Sequence, residues 1–264
     1  MRRINKEIKV KAWDEHKVSS FTKVQKIVSQ NVADSTLSAQ LFENKFITAL
    51  YLSQLAYFKF PSISAKLSEL GATRISLYTN DKGCQGYFAE LHDMAVVAFR
   101  GTQLNKTDDL QSALTFWKQS FKELGVHKGF IRSFEDMLPE VIGDLQRVAP
   151  TKRIIYTGHS MGGALATLLS IAHKPHELCT FGAPKVSDKN LREHLEGIEF
   201  NRIVTSHDWI PSLPPSIPYI LPYNHVGTKY VFPVEWSWRD IIKPHLLVTY
   251  LQAILAHHEE SNPE

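Results

Sequence analysis

Two cysteines in 264 residues, Cys84 and Cys179, are too few and too far apart for a disulfide framework, and neither belongs to a C-x-x-C pair that would hold a metal. Both are expected to be buried small hydrophobes, as suits a reducing compartment. Long apolar runs are also missing: none approaches the roughly 18 residues that a membrane-spanning helix needs, so no transmembrane segment is expected. Charge of one sign is scarce. A net charge of +3, with no Lys/Arg cluster interleaved with aromatics, argues against nucleic acid as a partner. The first 26 residues hold eight Lys/Arg against Glu7, Asp14 and Glu15, which suits a solvated face better than a membrane patch. Met1-Arg2-Arg3 resembles the start of a secretory signal, but residues 4–25 contain no continuous apolar stretch. A cytoplasmic location is therefore the default expectation, with export by another route left open.

What is present is enough for one large core, since 43% of the residues are hydrophobic and 22% charged. Helical spacing of Leu37, Leu41, Phe46, Leu50 and Tyr57 predicts a helix from residue 34 or 35, stopped by Pro61, and a short helix follows over 64–71. Strands are expected at 74–78, 87–91 and 94–99, separated by Asn80-Asp81-Lys82-Gly83 and by His92-Asp93. A helix over about 128–148 leads to a strand at 153–157. Further buried strands are expected at 178–181 and 202–205, and a late one at 226–232. Five prolines within 211–222 predict an extended, fixed loop. A final helix spans 244–255 with Pro244 in its first turn. Strands alternating with helices give an α/β fold with a mostly parallel sheet flanked by helices. One domain over 1–264 is the economical reading, with a polar extension at 1–33 and a frayed polar tail at 257–264.

The most informative stretch is Tyr156-Thr157-Gly158-His159-Ser160-Met161-Gly162-Gly163-Ala164. Gly158, Ser160 and Gly162 have G-x-S-x-G spacing, between a β-branched strand and a helix of small residues. That context is a nucleophile elbow, a strained turn that presents a serine hydroxyl at the sheet edge with a helix N-terminus behind it. The blander reading is a Gly/Ser turn that caps a helix.

A serine nucleophile needs a base, and the base an orienting carboxylate, in the chain order Ser, acid, His for this architecture. Asp208 follows the strand at 202–205 on the carboxyl edge of the sheet, a context that Asp188 and Glu196 lack. The base is either His225, at the start of a strand, or His245, between Pro244 and an apolar run. His257 and His258 fall in the polar tail, and the earlier histidines, His159 among them, read as structural or surface residues. An oxyanion hole would use the N–H of Met161 and a donor from Arg100-Gly101-Thr102-Gln103, after the strand at 94–99, where Thr102 is the candidate. Alternatively, Gly101 only turns the chain and Thr102 caps the next helix.

Together, Val96-Val97-Ala98-Phe99-Arg100-Gly101-Thr102, Val126-His127-Lys128-Gly129-Phe130, the elbow, Thr180-Phe181-Gly182-Ala183-Pro184-Lys185-Val186 and residues 203–215 resemble the class 3 lipases, fungal-lipase-like α/β-hydrolases. The resemblance covers about residues 45–255. It implies an α/β-hydrolase fold with Ser160, Asp208 and a late histidine as triad, and Thr102 and Met161 at the oxyanion hole. It favours His245 as base, with Tyr250 as the downstream aromatic, and leaves His225 as the recurrent non-catalytic histidine. It also implies a lid over about 103–122, with Leu110, Leu114 and Trp117 on one helical face, although Leu110 and Ala113 replace a common aromatic and acid. The implied activity is hydrolysis of acylglycerol esters, acting on lipid, at a lipid–water interface where the lid opens. No cofactor or metal is implied. Phospholipase A1, feruloyl-type esterase and a catalytically silent lipid-binding scaffold are the rival readings.

Overall fold

In the computed structural model, residues 42–80, 84–101, 134–186, 191–213, 223–235 and 241–261 are described. Seven strands form one sheet in the order β1-β2-β3-β4-β5-β6-β7. β1 (Arg74–Thr79), β2 (Gln85–Glu90) and β3 (Met94–Phe99) are an antiparallel meander. From β3 onward, β4 (Arg153–His159), β5 (Glu177–Phe181), β6 (Glu199–Thr205) and β7 (Thr228–Phe232) run parallel. Every residue of β3 and β5 is buried, because helices cover both faces of the sheet's centre.

Alternation along the strands divides the core. Cys179, Phe181 and Ile203 pack under α1 (Phe42–Leu55), α2 (Phe60–Glu69) and the last helix, α6 (Leu247–Ser261). Tyr156, Leu178 and Phe200 pack under α3 (Leu138–Leu145) and α4 (Met161–Ala172) on the other face. A short turn of helix, α5 (Leu191–His194), precedes β6. Both cysteines are buried. No helix among the described residues is long and apolar enough to cross a membrane.

Four boundaries differ from expectation, each for a local reason. Pro61 does not stop α1, which ends at Leu55; it lies in the first turn of α2, where its missing N–H leaves no helical bond unmade. Pro211, expected in an extended loop, instead falls in a 3₁₀ turn, Ile210–Ser212, that closes directly after the acidic residue at 208. Pro244 also lies in a 3₁₀ turn, Lys243–His245, and α6 begins only at Leu247. Two hydroxyls hold that turn: Thr249 Oγ1 donates to the Lys243 carbonyl at 2.6 Å and Thr205 Oγ1 to the Pro244 carbonyl at 2.7 Å. Past residue 255, where a frayed tail was expected, α6 continues to Ser261. The His257 ring stands edge-on to Phe232 of β7, centroids 5.6 Å apart, and ties the extra turn to the sheet.

Candidate active site

β4 ends at His159 and α4 begins at Met161, so Ser160 alone makes the turn between them. It does so at φ 55° and ψ −129°, and it is the one non-glycine residue of positive φ among those described. Such a backbone costs about 1–3 kcal/mol and persists only where the surroundings impose it. Here they do. A Cβ on Gly158 would strike the backbone of Gly162, and one on Gly162 would strike the Phe99 carbonyl, so neither position admits a side chain. The Ser160 N–H donates to the Phe181 carbonyl at 2.8 Å, pinning the turn to the end of β5. Met161, the residue after the serine, opens a twelve-residue helix whose N-terminal field favours negative charge beside the hydroxyl.

Asp208 and His245 come from segments that meet beyond the carboxyl end of β6. His245 Nδ1–H donates to Asp208 Oδ2 at 2.7 Å, with the two side chains 2% and 0% exposed. Tyr250, from α6, donates its hydroxyl to the same oxygen at 2.6 Å and accepts the Thr205 N–H at 3.3 Å. The Ile210 N–H donates to Asp208 Oδ1 at 2.9 Å. Burial pushes the Asp208 carboxyl up, but the His245 imidazole and these donors outweigh it and hold the group below its ordinary value. With Nδ1–H committed to the carboxylate, His245 Nε2 carries the lone pair; it is buried and has no hydrogen-bond partner. A Cβ on Gly182 would stand 2.6 Å from Asp208 Oδ2 and 3.0 Å from His245 Cε1. Residues 181 and 182 therefore hold the serine turn and the acid–imidazole pair side by side. The arrangement has the parts of an acyl-transfer site: an alcohol on the turn at the end of β4, an unpartnered ring nitrogen and a buried, hydrogen-bonded carboxylate.

The other sequence-predicted residues fall as follows. Gly101 packs against the serine turn, since a Cβ there would lie 3.0 Å from Ser160 Cβ. Thr102 and the lid residues Leu110, Leu114 and Trp117 lie outside the described residues. His225 is bonded to main chain rather than to Asp208. Its Nε2–H donates to the Pro211 carbonyl at 2.7 Å, and burial, with Arg202 beside it, lowers its pKa to about 3.

Two residues at the site were not singled out for it by sequence reasoning: His159, assigned only a structural or surface place, and Tyr57. Tyr57 accepts the Gly101 N–H at 3.1 Å and donates to His159 Nδ1 at 2.9 Å. His159 Nε2–H donates to the His245 carbonyl at 2.8 Å. The available signal was a histidine ending a strand whose last five residues are buried, where an imidazole needs partners at both nitrogens.

Burial, with His245 close by, lowers the His159 pKa from 6.5 to about 3. The folded protein thus holds this ring neutral while the unfolded chain protonates it. Stability from this group is complete above pH 6.5 and is lost as pH falls from 6.5 toward 3, by about 1.4 kcal/mol per pH unit. His225 acts in the same direction over the same window, and Asp208 adds to the loss as pH falls through its lowered pKa. Urea unfolding midpoints measured at pH 8, 6.5, 5.5 and 4.5 are expected to hold steady to 6.5 and then drop. Midpoints that stay level to 4.5 would contradict the neutral, buried state of these rings.

A mostly parallel seven-stranded sheet, with a strained serine turn at its centre and an acid and imidazole on loops past its carboxyl edge, defines an α/β-hydrolase fold. The same fold is found in the solved mono- and diacylglycerol lipase of Aspergillus oryzae, at a TM-score of 0.57 and 18% identity over 76% of this chain and 82% of that one. The family model for lipase (class 3) matches residues 96–217. The secreted mono- and diacylglycerol lipase 1 of Fusarium solani is 30% identical over 116 residues, 40% of this chain and 34% of that protein. A lipase of Rhizomucor miehei is 29% identical over 151 residues, 51% and 40% of the two chains. Over these segments the chain is similar to the class 3 lipases. It spans between a third and two fifths of the length of these two curated relatives. The Fusarium relative is named a secreted enzyme, which conflicts with the cytoplasmic default drawn from the apolar profile of residues 4–25, and that expectation is withdrawn.

Proposed function

We propose that the protein is a serine carboxylester hydrolase, a lipase that cleaves acylglycerol esters through an acyl-enzyme. One observation carries this reading: a buried imidazole bound through Nδ1 to Asp208, its Nε2 unpartnered, beside a serine held at positive φ. Ser160 Oγ attacks the ester carbonyl carbon while His245 Nε2 takes its proton. Negative charge then grows on the carbonyl oxygen, where the Met161 N–H and a donor from Thr102 receive it, each worth about 3–4 kcal/mol. The tetrahedral intermediate collapses, the C–O bond breaks, and His245 returns the proton to the leaving alcohol. Water, deprotonated by the same nitrogen, then releases the fatty acid and restores Ser160. Asp208 keeps the ring in the tautomer this requires.

Acylglycerol as substrate is supported by the names of the family relatives, mono- and diacylglycerol lipases among them. The proposal extends to one domain over 1–264, with Leu110, Leu114 and Trp117 forming an apolar lid face that turns to lipid. The test is a panel of mono-, di- and triacylglycerols of graded chain length, run beside a phospholipid and a feruloyl ester. Acylglycerols are expected to be turned over at least tenfold faster than the others. Preference for either of the other two would replace the acylglycerol assignment while keeping the hydrolase.

A further inference from the structure

We propose that His159 is a positioning residue that clamps the base and the oxyanion loop to the nucleophile through a directed hydrogen-bond relay. The inference rests on the reading of Ser160 and His245 as nucleophile and base. The relay has one polarity throughout. A carbonyl only accepts, so the contact of His159 Nε2 with the His245 carbonyl, at 2.8 Å, puts the ring's proton on Nε2. Nδ1 is then bare and accepts from the Tyr57 hydroxyl at 2.9 Å, and that hydroxyl in turn accepts the Gly101 N–H at 3.1 Å. Gly101 is the residue directly before Thr102, and His159 directly precedes Ser160. One imidazole therefore joins the loop that leads to the oxyanion donor, the strand end that carries the nucleophile and the main chain of the base.

Packing adds a second constraint. The His159 and His245 rings lie 4.6 Å apart at 35°, and Tyr250 stands edge-on to His159 with centroids 5.9 Å apart. His159 is 5% exposed, so water does not replace a lost partner. The clamp works only with a neutral ring: a proton on Nδ1 would leave the Tyr57 hydroxyl hydrogen without an acceptor and set a second positive charge against the imidazolium that His245 must become. Burial, which lowers the pKa of His159, keeps it in that state.

A merely structural histidine would affect folding but not the chemical step, and this separates the two roles. His159→Phe keeps the ring volume and removes both bonds. His159→Gln keeps an N–H at the reach of Nε2, and Tyr57→Phe removes the opposite arm. The parent is first treated with a fluorophosphonate and its adduct mapped, so that failure of the nucleophile reading is seen independently. Turnover of p-nitrophenyl butyrate is then followed with melting temperatures. His159→Phe is expected to lose about 100-fold in kcat, the scale of a 1 Å misplacement, with KM within threefold. His159→Gln is expected to recover most of that loss, and Tyr57→Phe to lose about tenfold. The double variant His159→Phe with Tyr57→Phe is expected to be no worse than His159→Phe alone. Equal losses in the Phe and Gln variants, losses in KM only, parent-like kcat in folded Tyr57→Phe, or additive losses in the double variant would each overturn the proposal. If His159→Phe fails to fold, the Gln and Tyr57 variants decide it alone.

Discussion

Ser160→Ala is expected to lower ester turnover by about 10⁵–10⁶-fold, leaving only the residual rate that substrate binding and the oxyanion donors sustain. The acid–imidazole pair is assembled around a single unpartnered nitrogen, His245 Nε2, and the only backbone in the sheet's edge bent to positive φ at a side-chain-bearing residue is that of Ser160, among the described residues. The fold should survive the change. Ser160 is held through its main chain, by the Phe181 carbonyl and by its own carbonyl accepting from Gly163 and Ala164 at 3.0 and 3.3 Å. Alanine keeps the Cβ that packs against Gly101. Melting temperature is therefore expected within a few degrees of the parent, and p-nitrophenyl ester hydrolysis measured on the same preparation checks the loss. Parent-like hydrolysis in a folded variant would remove Ser160 from the chemistry.

The second large effect separates two histidines that spacing alone does not rank. His245→Ala is expected to cost as much as Ser160→Ala, because the two act as one unit, while Asp208→Asn is expected to cost about 10⁴-fold by favouring the wrong tautomer. His225→Ala should stay within about tenfold of the parent. Its imidazole serves the Pro211 carbonyl, and losing that bond costs about 1 kcal/mol of stability rather than a catalytic proton. Burst and steady-state kinetics of the three variants, side by side, make the comparison. A greater loss at His225 than at His245 would move the base to the other loop.

The contrast between these histidines shows where sequence reasoning reaches and where it stops. β3 was legible because it is buried on both faces and reads as a continuous apolar run, and the elbow because its glycines stand where no Cβ fits. Helix ends were less legible. Prolines mark boundaries without saying on which side the helix lies, so Pro61 opens α2 and Pro244 belongs to a 3₁₀ turn. Asp208's bond to the Ile210 N–H spans two residues, but the Tyr250 hydroxyl comes from 42 residues on, and no local pattern states that contact. His159 is the sharpest case. Its place beside the serine is plain in the chain, but its meaning depends on Tyr57, 102 residues earlier, and on a carbonyl 86 residues later. Tertiary assembly alone brings those together.

The measurement closest to the centre of this account is the site of covalent modification by a fluorophosphonate. Intact mass should rise by one adduct, peptide mapping should put that adduct on Ser160, and labelling should disappear in Ser160→Ala and slow by orders of magnitude in His245→Ala. An adduct on any other residue, or labelling that proceeds at the parent rate without His245, would contradict the triad.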